Sequence, residues 1–228
     1  MYILYFIVIF NIIMEQVTYP FKSCSSFLIA GPSNVGKTYW IRKLITDKSM
    51  FETPPVEIMY AYGVYQPLYD EMEKEIDNIQ FYHGLPSETQ LKEFAKDRQF
   101  RLLLIDDLLQ SAINDTTVEK TYTAFAHHLK LGVIFVTQNL FSNGRVSRTV
   151  SLNANYIILF KNLRDVNQIA TLGRQLYTTK SKLFVQAYLD ATKQRYGYLV
   201  VDIHPHSEDK LRLRTHVFRG EDPIIYSL

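Results

Sequence analysis

The sequence GPSNVGKT, from Gly31 to Thr38, constrains this chain more than any other feature. It fits the pattern G-x-x-x-x-G-K-[ST] and directly follows SFLIA, an apolar run typical of a buried strand. Glycines let backbone N–H groups curl around phosphate oxygens, and the helix expected next points its positive end at them. The pattern predicts a phosphate-binding loop, with a chance turn as the alternative. The residues expected to bind the nucleotide are Gly31, Pro32, Ser33, Asn34, Val35, Gly36, Lys37 and Thr38.

Two side chains of this loop indicate its ligand. In this pattern Lys37 is expected to bridge the β- and γ-phosphates of ATP, and the hydroxyl of Thr38 is expected to ligate Mg²⁺. The guanine-reading pattern Asn-Lys-x-Asp is absent from the sequence. We therefore expect ATP and Mg²⁺ as cofactors and an ATPase rather than a GTPase.

A second acidic element follows in RLLLIDDLL, from Arg101 to Leu109. Asp106 is expected to hold Mg²⁺ directly or through water, and Asp107 is expected to act as the general base for the attacking water. A helix N-cap followed by a solvent-facing acid is the alternative. Two apolar runs separate these acids from the loop, Glu57 to Tyr62 and Ile79 to Tyr82. That separation favours ATPases with a strand inserted between the two nucleotide-binding strands over simple nucleotide kinases.

The apolar run from Gly132 to Thr137 leads directly into Gln138. At the carboxyl end of a neighbouring strand, Gln138 is expected to hydrogen-bond the γ-phosphate or the attacking water and to sense hydrolysis. The alternative is a turn in which Gln138 satisfies local backbone groups.

Apolar runs and helix-period segments alternate along the rest of the chain, which is typical of an α/β fold. The runs are continuous rather than alternating, so we expect a mainly parallel sheet flanked by helices. The other predicted strands are Ser26 to Ala30, Leu102 to Ile105, Tyr156 to Lys161 and Tyr198 to Ile203, with Leu211 to Phe218 as an antiparallel edge. The predicted helices are Gly36 to Thr46, Leu68 to Ile76, Glu88 to Ala95, Val118 to Lys130, Asp165 to Leu176 and Lys182 to Lys193.

Charge is unevenly distributed along the 228 residues. The stretch from Ser49 to Glu119 has 14 acidic and 5 basic residues, whereas Lys120 to Lys182 has 9 basic residues and only Asp165 as an acid. The asymmetry suggests a cationic working surface for a polyanion such as DNA, and solvated helix faces of opposite sign are the alternative.

The first fourteen residues, MYILYFIVIFNIIM, are almost entirely apolar. They are shorter than the roughly 20 residues of a membrane-spanning helix, so no stable membrane insertion is expected. No Lys or Arg precedes the apolar core, which argues against a signal peptide. A buried or edge strand, a weak anchor and an extension upstream of a functional start at Met14 remain as interpretations. We expect residues 1–19 to form an extension and residues 20–228 to form a single P-loop ATPase domain.

Taken together, these motifs resemble the genome-packaging ATPases of the FtsK-HerA superfamily, in particular the branch of poxviruses, Maverick/Polinton elements and virophages. The resemblance runs from about Pro20 to Phe218. It rests on GPSNVGKT, EIMYAYGVYQPLYDEM, FYHGLP, LLLIDDLL, HHLKLGVIFVTQNLF, SLNANYIILFKNLRD and IATLGRQLY. It implies a RecA/FtsK-like fold of the ASCE class, and an ATP-driven motor that moves double-stranded DNA into a preformed capsid.

The same resemblance implies partners and a location. The subunits are expected to form a homo-oligomeric ring, pentameric or hexameric, that acts on double-stranded DNA at capsid or vertex proteins. A viral or virus-like protein of this kind works at the assembly site in the host cytoplasm or nucleus and is possibly carried in the virion. A replicative ring helicase and a nucleotide-dependent capsid assembly protein without motor activity are the alternative functions.

Ring ATPases usually complete the active site with an arginine from the neighbouring subunit, which stabilises charge on the γ-phosphoryl group. Arg148 is our first candidate, because it adjoins the SLNANY stretch, and Arg145, Arg164 and Arg174 compete with it. We expect Arg145 and Arg148 in a loop after the sensor strand, where residues 141–145 form a DNA-contacting segment. A phosphate-backbone or surface arginine is the alternative for Arg148.

The chain has 16 tyrosines and one tryptophan. We expect the aromatic residues near the motifs to anchor the core or an interface rather than to stack on bases. These residues are Tyr39, Trp40, Tyr60, Tyr62 and Tyr65.

Overall fold

The apolar runs of the sequence form one sheet in the computed structural model, which describes residues 19–108, 129–141 and 145–227. The strands are β1 (Ser26–Ala30), β2 (Glu57–Tyr62), β3 (Ile79–His83), β4 (Arg101–Asp106), β5 (Leu131–Thr137), β6 (Tyr156–Phe160), β7 (Tyr198–Asp202), β8 (Leu213–Thr215) and β9 (Ile224–Ile225). The helices are α1 (Lys37–Thr46), α2 (Leu68–Glu75), α3 (Glu88–Phe94), α4 (Arg145–Asn153), α5 (Val166–Leu176) and α6 (Ser181–Ala191), with 3₁₀ turns at Lys48–Met50 and Asp209–Leu211.

The strands lie in the order β3-β2-β4-β5-β1-β6-β7-β8-β9 among the described residues. The first six of these are parallel, and β7, β8 and β9 each pair antiparallel with the strand before them. The predicted mainly parallel sheet and the antiparallel pairing near the carboxyl terminus are both confirmed.

Both faces of the sheet are covered, which explains why the strands are continuously apolar. On one face, alternate residues such as Phe27 and Leu104 pack against α1 and α2 through Trp40, Leu44 and Met72. The opposite face carries Leu28, Leu103 and Phe135, which pack against the apolar sides of α3, α5 and α6. The sheet is therefore rigid, and its carboxyl edge can hold polar groups in fixed positions.

Strand β5 lies between β1 and β4. A strand is thus inserted between the two nucleotide-binding strands, as predicted. The prediction based it on the runs Glu57 to Tyr62 and Ile79 to Tyr82, and this part was wrong. Those two runs form β2 and β3, which lie beyond β4 at the sheet edge. The inserted strand comes later in the chain, because parallel crossovers let sequence order and spatial order differ.

The segment after β5 also differs from the expectation. We predicted Arg145 and Arg148 in a loop, whereas Arg145–Asn153 forms helix α4. The segment contains valine, serine and threonine, which favour helices weakly, and its buried Val150 docks against the sheet core. Tertiary packing therefore overrides a weak local preference.

Several expectations fall on residues that the structure does not describe. The apolar leader up to residue 18 and residues 142–144 of the expected DNA-contacting segment lie outside the described residues. So does most of the predicted helix from Val118 to Lys130, of which Leu129 and Lys130 form a turn. Within the described residues, no helix is long and apolar enough to cross a membrane.

Candidate nucleotide site

The glycine-rich loop turns from β1 into α1 with two residues in the left-handed region of φ, Asn34 at 64° and Gly36 at 100°. Gly31 is buried, and a Cβ atom there would lie 2.7 Å from Cβ of Phe160 on β6. Gly36 caps α1 without a side-chain hydrogen bond to the first turn. The N–H groups at this helix end consequently point toward the loop, where an anion can accept from them.

Lys37, the first residue of α1, folds back over the loop. Its Nζ donates hydrogen bonds to the carbonyl oxygens of Gly31 at 2.6 Å and Pro32 at 2.7 Å. Burial lowers the pKa of Lys37, and the charges of Asp106 and Asp107 oppose that shift. The ammonium group is therefore held at the loop and within electrostatic reach of both carboxylates.

Asp106 ends β4 as a buried carboxylate, with 5% of the residue exposed. The hydroxyl groups of Tyr60 and Tyr69 both donate to its Oδ2, at 2.7 and 3.3 Å. Burial raises the pKa of Asp106, while the Tyr60 hydrogen bond and the charge of Lys37 partly offset the increase. One oxygen of this carboxylate is thus fixed by two tyrosines.

Asp107 is exposed and lies just beyond the strand end, with φ of 53°. Its backbone is tightly packed, since a Cβ atom on Gly63 would lie 2.7 Å from the carbonyl oxygen of Asp107. The N–H of Gly63 also donates to the carbonyl of Asp106 at 3.1 Å. The end of β2 thereby fixes the turn that directs Asp107 away from the strand.

A cavity of about 810 Å³ brings the candidate residues together at the carboxyl edge of β1, β4 and β5. Of the predicted site residues, it is lined by Ser33, Asn34, Gly36, Lys37, Thr38, Asp106, Asp107 and Gln138. Gly31, Pro32 and Val35 belong to the loop but do not line the cavity. Gln138 is exposed and directly follows β5, the strand between the loop and the two acids.

Thr38 and Asp106 are the candidate ligands for Mg²⁺ in this cavity. The described residues contain no group of three or more His, Cys, Asp and Glu arranged to hold a metal ion. Mg²⁺ usually takes one or two protein ligands and completes its shell with phosphate oxygens and water. Thr38 and Asp106 line the same cavity, so they fit this mode of binding.

No protein-family model matches the chain, and no curated protein does. Among solved structures, it is similar to the genome-packaging NTPase B204 of Sulfolobus turreted icosahedral virus 2, solved in complex with ATPγS. The TM-score is 0.53 at 14% identity, over 90% of this chain and 97% of B204. The chain has the P-loop NTPase fold. At 14% identity, the structural similarity establishes the fold, and the activity has to be argued from the residues of the site.

Arg148 is exposed on α4 and is not among the residues that line the cavity. Arg164 and Arg174 are also exposed, and Arg174 donates a hydrogen bond to Thr171 on its own helix. The structure therefore places these arginines on the surface of the chain, outside the candidate nucleotide site.

Sequence reasoning missed the second role of the tyrosines. Tyr60 is a core residue as predicted, but its hydroxyl also holds Asp106, as does that of Tyr69. Tyr39 was expected to anchor the core or an interface; it is 57% exposed and lines the cavity, so it is not a core residue. No local pattern marks these roles, since the partners are 46 and 37 residues apart for Tyr60 and Tyr69.

Proposed function

We propose that this chain is an ATPase that drives double-stranded DNA into a viral capsid, a genome-packaging motor of the FtsK-HerA superfamily in its poxvirus-type branch. The observation that carries the proposal is the convergence of Lys37, Asp106, Asp107 and Gln138 on one cavity at the phosphate-binding loop. The similarity in fold to B204, a packaging NTPase, supports the biological context.

In this proposal the loop binds the triphosphate of ATP. Backbone N–H groups at the start of α1 donate to phosphate oxygens, and Lys37 exchanges its two loop carbonyls for the β- and γ-phosphates. The exchange is favourable because a phosphate is charged and a carbonyl is not. Lys37 thus helps to neutralise charge that develops on the γ-phosphoryl group.

Thr38 and Asp106 are the residues that would hold Mg²⁺. With Oδ2 of Asp106 already accepting from two tyrosines, Oδ1 is the oxygen that we assign to the metal or its water. When bound there, Mg²⁺ would supply positive charge that offsets the negative charge of the phosphate groups. Asp106 must be ionised for this role, and its raised pKa limits how acidic the medium can become.

Asp107 is the proposed general base. Its exposed carboxylate lies beside the cavity, where it can accept a proton from the water that attacks the γ-phosphorus. Gln138, at the end of the adjacent strand, orients that water or the γ-phosphate through its side-chain amide. The bond between the γ-phosphorus and the oxygen that bridges it to the β-phosphate breaks, and ADP and phosphate result.

The motor role requires a cationic surface that binds DNA, and an assembly of several subunits. The stretch from Lys120 to Lys182 has nine basic residues and one acid, which suits contacts to DNA phosphates without sequence reading. Such binding should weaken steeply as salt increases. An affinity for duplex DNA that does not change between low and moderate salt would count against this surface.

We further propose that Arg148 of one subunit completes the site of its neighbour. An exposed arginine outside its own cavity is what a trans-acting role needs. Complementation tests it. Lys37→Ala and Arg148→Ala proteins should each be inactive alone, and their mixture should regain part of the ATPase activity because intact half-sites meet. A mixture that stays as inactive as its components contradicts the assignment. Arg98→Ala serves as the control, because this arginine is exposed between α3 and β4 and does not line the cavity.

The central experiment measures steady-state ATPase activity with and without long duplex DNA, together with the mass in solution when nucleotide is bound. DNA stimulation accompanied by assembly is expected for a motor. An ATPase activity that does not change when DNA is added, in a protein that stays monomeric with nucleotide, would refute the motor. Unwinding of a forked duplex without any need for capsids would instead assign the chain to the helicases.

A further inference from the structure

A second cavity, of about 350 Å³, adjoins the nucleotide cavity on the side away from the acids. Gly36, Tyr39 and Tyr196 line both cavities, so the two are neighbours across the start of α1. Trp40, Phe160 and Phe218 contribute apolar lining. A cleft with aromatic walls that shares residues with the candidate phosphate site suits the base of a nucleotide.

Tyr196 lies in the turn between α6 and β7 and has an unusual conformation for a large side chain. Its φ is 63°, and half of the residue is exposed. The left-handed region disfavours residues with a Cβ atom, and such strain concentrates at binding sites. Burial in the core therefore does not account for this tyrosine.

The contacts of Tyr196 fix its ring beside the loop. A Cβ atom on Gly36 would lie 3.0 Å from Cδ1 of Tyr196, so the ring packs against the loop glycine. The guanidinium of Arg195 lies 4.7 Å from the ring centroid, in a cation–π contact. The turn itself is closed by the N–H of Gly197, which donates to the carbonyl of Gln194 at 3.1 Å.

Strand order fixes the direction in which a bound nucleotide extends. The acids on β4 and Gln138 after β5 lie on one side of β1, whereas β6 and β7 lie on its other side. A triphosphate whose γ end faces Asp106 and Gln138 extends toward the turn that carries Tyr196. We propose that Tyr196, supported by Arg195, is the stacking platform for the nucleobase, an inference that rests on nucleoside triphosphate binding at the loop.

Stacking on a ring face is a contact that every base can make, so the platform serves ATP and GTP alike. Tyr196→Ala should weaken binding of both nucleotides by roughly 5- to 150-fold, the range of one lost base–aromatic contact. Binding of inorganic tripolyphosphate, which has no base, should not change. Tyr196→Phe should keep most of the affinity, since the ring and not the hydroxyl makes the contact.

Calorimetric titration of the full chain with MgATP, MgGTP and magnesium tripolyphosphate measures all three. Leu189→Ala is the control, because Leu189 is 51% exposed on α6 and lines neither cavity. Unchanged ATP affinity in Tyr196→Ala overturns the platform. An equal loss for tripolyphosphate also overturns it, since the ring would then only support the loop.

The outcomes separate this inference from the proposed function. Loss of ATP affinity in Tyr196→Ala, with no DNA-stimulated hydrolysis by the wild-type chain, supports the platform and contradicts the motor. A wild-type chain that binds neither nucleotide nor tripolyphosphate overturns both.

Discussion

The two sides of the phosphate-binding loop are built differently. The strand-end side consists of Asp106, Asp107 and Gln138, which end or directly follow buried parallel strands. The turn side consists of Tyr39, Arg195 and Tyr196, which are exposed and lie on a helix start and a turn. The first side places charge with rigid geometry, and the second offers a ring face.

Chemistry and affinity can be divided between the two sides of one site. A rigid strand end can hold a carboxylate in a buried position. Such a position serves catalysis, but it lowers the stability of the fold. An exposed aromatic on a turn adds binding energy with little demand on the core. We therefore expect changes on the strand-end side to alter kcat and changes on the turn side to alter the Kd of nucleotides.

The largest effect should come from Asp107→Asn, which removes the proposed base while keeping shape. We expect kcat to decrease about 10²- to 10⁴-fold, the usual contribution of general base catalysis, with ATP affinity preserved. Phosphate release measured with DNA, together with ATP titration, checks both parts. Asp77→Asn is the control, because this exposed aspartate lies before the amino end of β3, whereas the candidate site lies at the carboxyl ends of the strands. Equal turnover in Asp107→Asn and wild type would reject the base assignment.

Gln138→Ala should follow, with a decrease in kcat of about 10²-fold, because one hydrogen bond to the reacting groups is lost. The KM for ATP should change little, since Gln138 acts near the γ-phosphate and the loop binds the rest. Asn139→Ala, a change at the next exposed position, is the matched control. A Gln138→Ala protein that loses ATP affinity and keeps kcat would move Gln138 to a purely binding role.

The strand-end side was also the part that the sequence revealed. Continuous apolar runs marked β1, β4 and β5, and the polar residues directly after them could be placed at one sheet edge. Tyr60 could not be connected with Asp106, because their contact depends on the β2–β4 register, in which Tyr62 pairs with Asp106. Residues two apart on a strand share a face, so this register points Tyr60 to the carboxylate.

The turn side left almost no trace in the sequence. Tyr196 owes its position to a left-handed backbone conformation in a connection between α6 and β7, which local propensity does not predict. Helix α4 was missed for a related reason, because its weak helix formers are stabilised by docking of Val150. Tertiary contacts determine both features.

Tyr60→Phe should produce a smaller effect, visible as a shift in pH dependence. Burial raises the pKa of Asp106, and the Tyr60 hydrogen bond lowers it, so removal of the hydroxyl should raise that pKa further. The acidic limb of kcat/KM should therefore move to higher pH, with activity at neutral pH decreased about tenfold or less. Tyr156→Phe, at the amino end of β6, removes another buried hydroxyl and should leave the limb in place. An unmoved limb in Tyr60→Phe would limit Tyr60 to a packing role.

The smallest effect is on stability and has the opposite sign to the loss of function. Burial is the main cause of the raised pKa of Asp106, so the native state disfavours the charged carboxylate. Protonation at low pH removes this penalty, which is absent below about pH 3.9, the pKa of an unfolded aspartate, and appears as pH rises through the folded value. Asp106→Asn should therefore stabilise the fold at neutral pH by about 1 kcal/mol, or roughly 3 °C in Tm, while turnover is lost.

The contrast with the buried Asp202 makes that prediction sharp. Asp202 and Arg214 are each 2% exposed and form an ion pair of 2.8 Å, so Asp202→Asn leaves a buried cation without its counter-charge and should destabilise the fold by about 3–5 kcal/mol. Thermal unfolding of both variants at neutral pH and near pH 4 tests the two signs. The gain in Asp106→Asn should vanish at the lower pH because wild-type Asp106 is then increasingly protonated. A gain that persists there would show that the gain does not come from the charge of Asp106. A loss at neutral pH would show that Asp106 is stabilised as a carboxylate and that the strand-end side carries no stability cost.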